Sequence, residues 1–195
     1  MTTGKVAVGL TIRAADPASD AEVRRMFGRL HGFNASLDHR FALAEGWEAV
    51  LDAHLSRERR EGNGVTWLAD WDGDPAGMLI VAGHADSPLY LDRHWAEVLA
   101  LYVEPEYRGL GVGQALAAEA ASWAITHGYD RLQLHVTAAN AAAQSFYARS
   151  GFRLVQEIWR LDLAATFRSP PADNACEGTY ARGEGLLGGQ AHEVD

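Results

Sequence analysis

Lysine, cysteine and long apolar runs are scarce in this chain of 195 residues, and each scarcity removes a class of function. Lys5 is the only lysine, the formal net charge is −9, and no run of basic residues resembles a phosphate-binding surface, so we expect no nucleic-acid partner. Cys176 is the only cysteine, which excludes an internal disulfide and a cysteine-based metal cluster. No apolar run reaches the ~18 residues of a membrane helix and no signal peptide is recognisable, so we expect no membrane partner and a cytoplasmic location.

The histidines show no spacing that is typical of a metal site. None of the eight histidines occurs in a His-x-x-x-His or His-Glu-x-x-His pattern. We therefore expect no metal cofactor.

Hydrophobic periodicity and turn residues predict a single α/β domain over residues 1–164, with a polar, glycine-rich tail at 165–195 that we expect to be disordered. Gly32 is expected to end the first helix. Predicted strands cover 9–13, 65–73, 75–84, 95–103, 131–137 and 152–163, and predicted helices cover 19–31, 45–60, 113–127 and 140–150.

The most informative segment is Arg-Gly-Leu-Gly-Val-Gly at residues 108–113, between a predicted buried strand and a predicted helix. Alternate glycines allow backbone N–H groups to point toward one site, and the N-terminus of the following helix adds positive charge. Arg108 adds a guanidinium that suits phosphate. The segment predicts an anion site that fits a pyrophosphate, although a plain strand-to-helix turn would use the same residues.

Two other phosphate-binding motifs do not fit this segment. A dinucleotide fingerprint needs a third glycine where Gln114 stands, and a P-loop needs a Gly-Lys-Ser/Thr ending that is absent. Gly183, Gly185 and Gly188 form a Gly-x-Gly-x-x-Gly pattern in the tail, but no strand or helix is predicted around it, so we interpret it as a chance match.

Two motifs together resemble a known family. Val103, Pro105, and the segment from Arg108 to Gly113 match Val-x-Pro-x-x-Arg-Gly-x-Gly-x-Gly, and residues 140–152 match a second pattern of Asn, Phe-Tyr and Gly-Phe. This pair of motifs is similar to those of the GNAT superfamily of acetyl-CoA-dependent N-acetyltransferases. The resemblance implies a mixed, twisted central sheet with flanking helices, whose fourth and fifth strands splay apart around coenzyme A. Family members usually carry a strand hairpin after Gly-Phe, and only residues 153–163 are available for it here.

The resemblance also implies the binding residues of acetyl-CoA, which would be a co-substrate. Backbone groups of the fourth strand would hold the pantetheine arm, N–H groups of the glycine loop would hold the pyrophosphate, and Asn140 would contact the pantetheine or only cap its helix. The residues so implied are Leu101, Tyr102, Val103, Arg108, Gly109, Leu110, Gly111, Val112, Gly113, Gln114, Asn140 and Tyr147.

Amine acetylation requires a base for the ammonium, a donor to the thioester oxygen and an acid for the thiolate. The resemblance implies Tyr147 as the acid, the backbone N–H of Leu101 as the donor, and Glu97, six residues before Val103, as the base. The strand rise places Glu97 about 13 Å from Leu101, so we expect a water to relay the proton. A Tyr147 that only packs and a Glu97 in solvent or paired with Arg93 are the alternatives.

The predicted function is transfer of an acetyl group to a primary amine of a small molecule or peptide, by a protein that can form a homodimer. The sequence also permits an acyl-CoA-binding regulatory module with little catalysis, an enzyme for another acyl group, or a nucleotide-binding protein of another fold. The acceptor cannot be read from the sequence, and Trp47, His39 and Trp71 are the side chains expected near it.

Overall fold

The structure is a computed structural model and describes residues 9–163. Residues 9–153 form one compact unit, and residues 154–163 belong to a second unit. The tail predicted to be disordered, residues 165–195, lies outside the described residues.

Five strands form one mixed sheet in the order β1-β2-β3-β4-β5. The first four pair antiparallel with their neighbours, and β5 pairs parallel with β4. Asp72 and Gly73 have positive φ values of 51° and 93°, as a two-residue hairpin turn between β2 and β3 requires. The strands are β1 Leu10–Ala14, β2 Gly64–Trp71, β3 Asp74–Ala85, β4 His94–Val103 and β5 Leu132–Leu134.

Within residues 9–163, four α-helices accompany the sheet: α1 Asp20–Leu37, α2 Trp47–Glu61, α3 Val112–Thr126 and α4 Ala141–Arg149. Helix α1 continues past Gly32, where the sequence predicted its end. A glycine inside a helix costs only about 1 kcal/mol, which buried side chains of α1 such as Val23 and Met26 offset by packing. The helix ends instead at Leu37, and the backbone of the next residue, Asp38, is extended (φ −150°, ψ 114°).

The sheet carries a hydrophobic core on each face. One core packs α3, through Val112, Leu116 and Ala120, against one face. The other packs α1 and α2, through Val23, Met26, Leu51 and Leu55, against the opposite face. The central strand β3 contributes to both cores, which is why its side chains are nearly all apolar.

Two strand predictions in the second half of the chain are wrong. Strand β5 has three residues instead of the seven predicted at 131–137, because it leaves β4 after Leu134. Residues 152–163 form no strand, so within the described part of the chain the sheet ends at β5. Alternating apolar residues show that a segment can pair, but a strand forms only where a neighbouring strand accepts its hydrogen bonds.

Among residues 9–163, no helix combines the length and the hydropathy that a bilayer span needs.

Candidate active site

Strand β4 contains a one-residue bulge at its centre. Val98 pairs with Val81 and Ala100 pairs with Ile80, which leaves Leu99 without an opposite residue on β3. The bulge reverses which side chains face each core. Ala96 and Val98 precede it on the α3 side, and Ala100 and Tyr102 follow it on the α1 side.

The same bulge reverses the direction of the backbone groups. Before it, Ala96 N–H points to β5 and donates to the carbonyl of Arg131 at 3.1 Å. After it, Glu104 N–H points to β3 and donates to the carbonyl of Ala76 at 2.9 Å. Because direction alternates along a strand, the N–H and C=O of Leu101 point away from β3, toward the side where β5 has already ended. This is the orientation that an oxyanion donor at Leu101 needs.

A cleft opens where β4 and β5 separate, as the resemblance implied. It brings Leu101, Asn140 and Tyr147 together, which are three of the residues predicted for the site. The wall opposite β4 and β5 comes from α1, through Leu30, His31 and Asn34. The remaining lining residues are Val98, Leu99, Ala100, Leu134, His135, Val136, Thr137 and Ala143.

The glycine loop leads directly into α3. Gly109 and Gly111 have φ values of 80° and 91°, a region that side chains with a Cβ rarely adopt, and Gly111 caps the helix. The first intrahelical bond joins Ala115 N–H to the carbonyl of Gly111, so the amides at residues 112–114 have no partner within the helix. These amides give the loop donors for an anion.

Arg108 folds back onto β4. Its Nε donates to the carbonyl of Val103 at 3.0 Å, and its guanidinium carbon lies 5.9 Å from the centre of the Tyr102 ring. These contacts fix the side chain beside the loop and leave its terminal nitrogens as the groups that would reach a phosphate.

Helix α4 begins at Asn140, whose Oδ1 accepts a hydrogen bond from Ala143 N–H at 3.1 Å. Asn140 is therefore a helix cap, and it also lines the cleft. Phe146 packs against α3 at Gly113, where a Cβ would lie 3.2 Å from the Phe146 ring. This close approach sets the distance between α3 and α4.

Tyr147 turns away from that contact and lines the cleft. Its ring meets Phe146 and Phe152 edge-on, at centroid distances of 5.1 and 5.4 Å. Burial among these groups raises the pKa of Tyr147 to about 12, because the phenolate would lose its hydration. Tyr147 is therefore a neutral phenol with a proton to give at any physiological pH.

Glu97 does not line the cleft, and its carboxylate is neither in solvent nor paired with Arg93. Val98 points into the opposite core, and the carboxylate of Glu97 lies between two imidazoles. His84 Nδ1 is 3.0 Å from Oε2, and His135 Nε2 is 3.4 Å from Oε1. Of these three residues only His135 also lines the cleft.

Four other predicted residues lie away from the cleft. The Tyr102 side chain is buried in the core under α1. Trp47 stacks on Phe27, Trp71 packs against Tyr107 in the α3 core, and none of the side chains named for the acceptor, His39 included, is among the lining residues.

Sequence reasoning missed the ionic cluster that joins α1 to β4. Glu104 is 2% exposed and accepts from Arg25 on Oε1, from Arg29 on Oε2 at 2.6 Å and from Tyr102 on Oε2 at 3.0 Å. Burial opposes ionisation of Glu104, but the hydrogen bonds from the two arginines outweigh it and lower the pKa of the carboxyl. The i, i+4 spacing of the arginines was a usable signal, although nothing in the sequence paired them with Glu104.

Comparisons with known proteins agree with this architecture. The sequence model described as "Acetyltransferase (GNAT) family" matches residues 24–152. The chain is 31% identical over 117 residues to a mycothiol acetyltransferase of Kocuria rhizophila, covering 53% of this chain and 36% of that protein. It is 30% identical over 87 residues to the N-acetylaspartate synthetase of Homo sapiens, covering 45% of this chain and 27% of that protein. This chain thus spans about a third or less of these relatives' lengths.

Solved structures share the fold at low identity. The aminoglycoside acetyltransferase AAC(6')-Iy, in complex with a bisubstrate analogue, has a TM-score of 0.64 at 16% identity, covering 78% of this chain and 97% of that chain. A Clostridium acetobutylicum protein described as a predicted acetyltransferase, with acetyl-CoA, has a TM-score of 0.62 at 16% identity, covering 80% and 97%. The family match covers most of the chain, and the mixed sheet with flanking helices is the fold that these solved structures share. The chain belongs to the GNAT family of acetyltransferases.

Proposed function

We propose that this chain transfers the acetyl group of acetyl-CoA to the primary amine of a small molecule or peptide. The observation that carries the proposal is the cleft between β4 and β5, where the neutral phenol of Tyr147 shares a cavity with the outward-facing backbone of Leu101. The solved relatives with acetyl-CoA and with a bisubstrate analogue support the choice of co-substrate. The named relatives differ in their acceptors, so support for the acceptor extends to an amine and no further.

Acetyl-CoA would bind with its phosphates at the glycine loop and its acetyl group in the cleft. The amides at residues 112–114 and the terminal nitrogens of Arg108 supply donors to the phosphates. The pantetheine arm would run along Leu101 and Val103, on the side of β4 where the pairing with β5 has already ended. Asn140, at the start of α4, borders the same path.

Three groups of the chain would then act on the reaction. Leu101 N–H would donate to the thioester oxygen as that oxygen gains negative charge. Tyr147 would protonate the departing thiolate, for which its high pKa keeps the proton available. Glu97 lies behind His135, outside the cleft lining, and would draw the proton from the acceptor through an intervening group.

A thiol-release assay tests this proposal directly. The full chain is given acetyl-CoA and a panel of primary amines, amino acids, aminoglycosides and short peptides, and product masses are checked for one added acetyl group. We expect at least one class of amine to accelerate thiol release, and Tyr147→Phe to remove most of that acceleration. Tight acetyl-CoA binding without acceleration by any amine would refute amine acetylation and favour a binding module.

A further inference from the structure

His135 lies at the junction between the cleft and Glu97. It follows β5 directly, at the point where the chain leaves β4, so its ring projects where the two strands separate. Its side chain is 71% exposed, whereas that of Glu97 is only 12% exposed. An acceptor in the cleft would therefore meet His135 before Glu97.

Glu97 is placed to hold His135 in one orientation. With His135 Nε2 facing Oε1 at 3.4 Å, the other ring nitrogen, Nδ1, is the one left for the cleft. His84 occupies Oε2 at 3.0 Å from the opposite side and is itself stacked on Trp95, at 4.4 Å between ring centres. His84 thus holds the Glu97 carboxylate in place. The carboxylate in turn attracts the positive charge that the His135 ring acquires when it takes up a proton.

A second histidine of the cleft, His31 on α1, is less suited to this role. Its ring packs 4.3 Å from Phe27, and burial lowers its pKa because the charged imidazolium would lose hydration. The His31 ring thus packs on an aromatic side chain, whereas His135 has both a carboxylate and solvent beside it. The titratable side chains around this end of the cleft are His31 from α1, His84 from β3, Glu97 from β4, Tyr147 from α4 and His135 itself.

We propose that His135 removes the proton from the acceptor ammonium, with Glu97 as its positioning residue. This inference rests on the proposed function. His135 Nδ1 accepts one proton from the ammonium, and the freed nitrogen lone pair forms the N–C bond while the C–S bond breaks. Tyr147 gives its proton to the thiolate and recovers one from the new amide nitrogen. The proton on His135 leaves to the water that its exposed ring contacts, so the net release is one proton per acetyl group.

The pH dependence of kcat/KM for an accepted amine tests this assignment. An alkyl ammonium has a pKa of about 10.4, so the base matters near neutral pH and loses importance near pH ~9.5. We expect His135→Gln to be slowed about 10- to 100-fold near pH ~7 and to recover most of the loss by pH ~9.5. Glu97→Gln should show the same recovery, and the double variant should be no slower than His135→Gln, because the two residues act as one unit.

Two other histidine variants provide the comparison. His127, which stacks on Trp123 at the end of α3, is the control, and His127→Gln should retain the wild-type profile. A pH-dependent loss in His31→Gln with a normal profile in His135→Gln would overturn the proposal. Acetyl-CoA affinity by calorimetry should be the same in all these variants.

The pairing of His135 with Glu97 also has a readout that needs no turnover. Nitrogen-15 shifts of the His135 ring should report a proton on Nε2 in the wild-type protein and a mixture of tautomers in Glu97→Gln. An unchanged tautomer would refute the positioning role. A wild-type protein that acetylates no amine would refute the proposed function, whereas normal wild-type turnover with an unaltered pH profile in His135→Gln would refute the role of His135 alone.

Discussion

Replacing Glu104 by glutamine should destabilise the protein by loosening α1 from the sheet. Glu104 is 2% exposed and is shared by Arg25 and Arg29, one turn apart on α1. Removing one partner of a fully buried ion pair costs roughly 3–5 kcal/mol. The side chains of Arg25 and Arg29 are 40% and 53% exposed, so both can turn to solvent and most of that penalty is avoided. What is lost is chiefly the charge-assisted hydrogen bonding, about 2 kcal/mol, or ~4–8 °C in Tm.

The pH dependence identifies the charge as the cause. The pKa of Glu104 is below its ordinary value of 4.5, so the folded state holds the ionised form more tightly than the unfolded state does. The stability that this gives is fully present above that ordinary value and is lost as the pH falls through the lowered pKa. The gap in unfolding free energy between wild type and Glu104→Gln should therefore be constant from pH ~8 to ~5 and should shrink toward pH ~3.

Urea denaturation at a series of pH values measures this gap. Asp52→Asn is the matched control, because Asp52 of α2 pairs with Arg24 of α1 at 2.7 Å while the Asp52 side chain is 40% exposed. Such exposed pairs contribute about 0–1 kcal/mol to stability. The acceptor KM should rise in Glu104→Gln, since α1 supplies one wall of the cleft. A gap below about 0.5 kcal/mol near neutral pH, or one that persists undiminished in acid, would contradict this reasoning.

Three further predictions concern the cleft and the glycine loop. Tyr147→Phe should lower turnover about 10- to 1000-fold with little change in acetyl-CoA affinity, and equal turnover in the variant would exclude Tyr147 as the acid. Because the pKa of Tyr147 is about 12, its ionisation should cause no loss of wild-type activity below pH ~11. Gly111→Val should weaken acetyl-CoA binding measured by calorimetry, because φ is 91° there, whereas Gly128→Val, equally strained at φ 80° but at the other end of α3, should lose stability without losing affinity; equal losses of affinity would contradict a binding role for the loop. Gly113→Val should lower Tm and turnover together, because its Cβ and methyl groups would push on Phe146 and hence on the helix that carries Tyr147; an active, equally stable variant would show that α4 is not positioned by this contact.

Sequence patterns sufficed for the elements whose signals are local. The glycine loop between β4 and α3 and the Asn140 cap of α4 depend on neighbouring residues, and both lie where the sequence predicted them. Gly32 misled the prediction of α1 because its intrinsic helix penalty is smaller than the packing energy of the surrounding turns. The strand predicted over 152–163 failed for the opposite reason, since a strand depends on a partner that the segment itself does not specify.

The candidate site was predictable only where a motif defined it. Tyr147, Asn140 and Leu101 meet in one cleft, and the motifs had already related them. His135 and Glu104 carry no motif, and their partners are far along the chain: Glu97 lies 38 residues before His135, and Arg25 lies 79 residues before Glu104. Strand register and helix rotation determine which distant side chains come into contact in the fold. No local pattern in a single sequence specifies either of them.

The bulge at Leu99 explains why the site forms on this part of β4. In a regular strand, N–H groups point alternately to the two neighbouring strands. Because Ala96 N–H points to β5, the N–H of Leu101, five residues later, would then point to β3 and bond within the sheet. One extra residue turns that N–H toward the cleft, while Glu97, before the bulge, stays opposite the α3 core and within reach of His135. The donor for the thioester oxygen and the carboxylate behind the base thus come from one strand, on opposite sides of a single irregularity. The bulge is therefore the structural feature on which the proposed chemistry depends most directly, because it lets one strand direct the N–H of Ala96 to β5 and the N–H of Leu101 to the cleft.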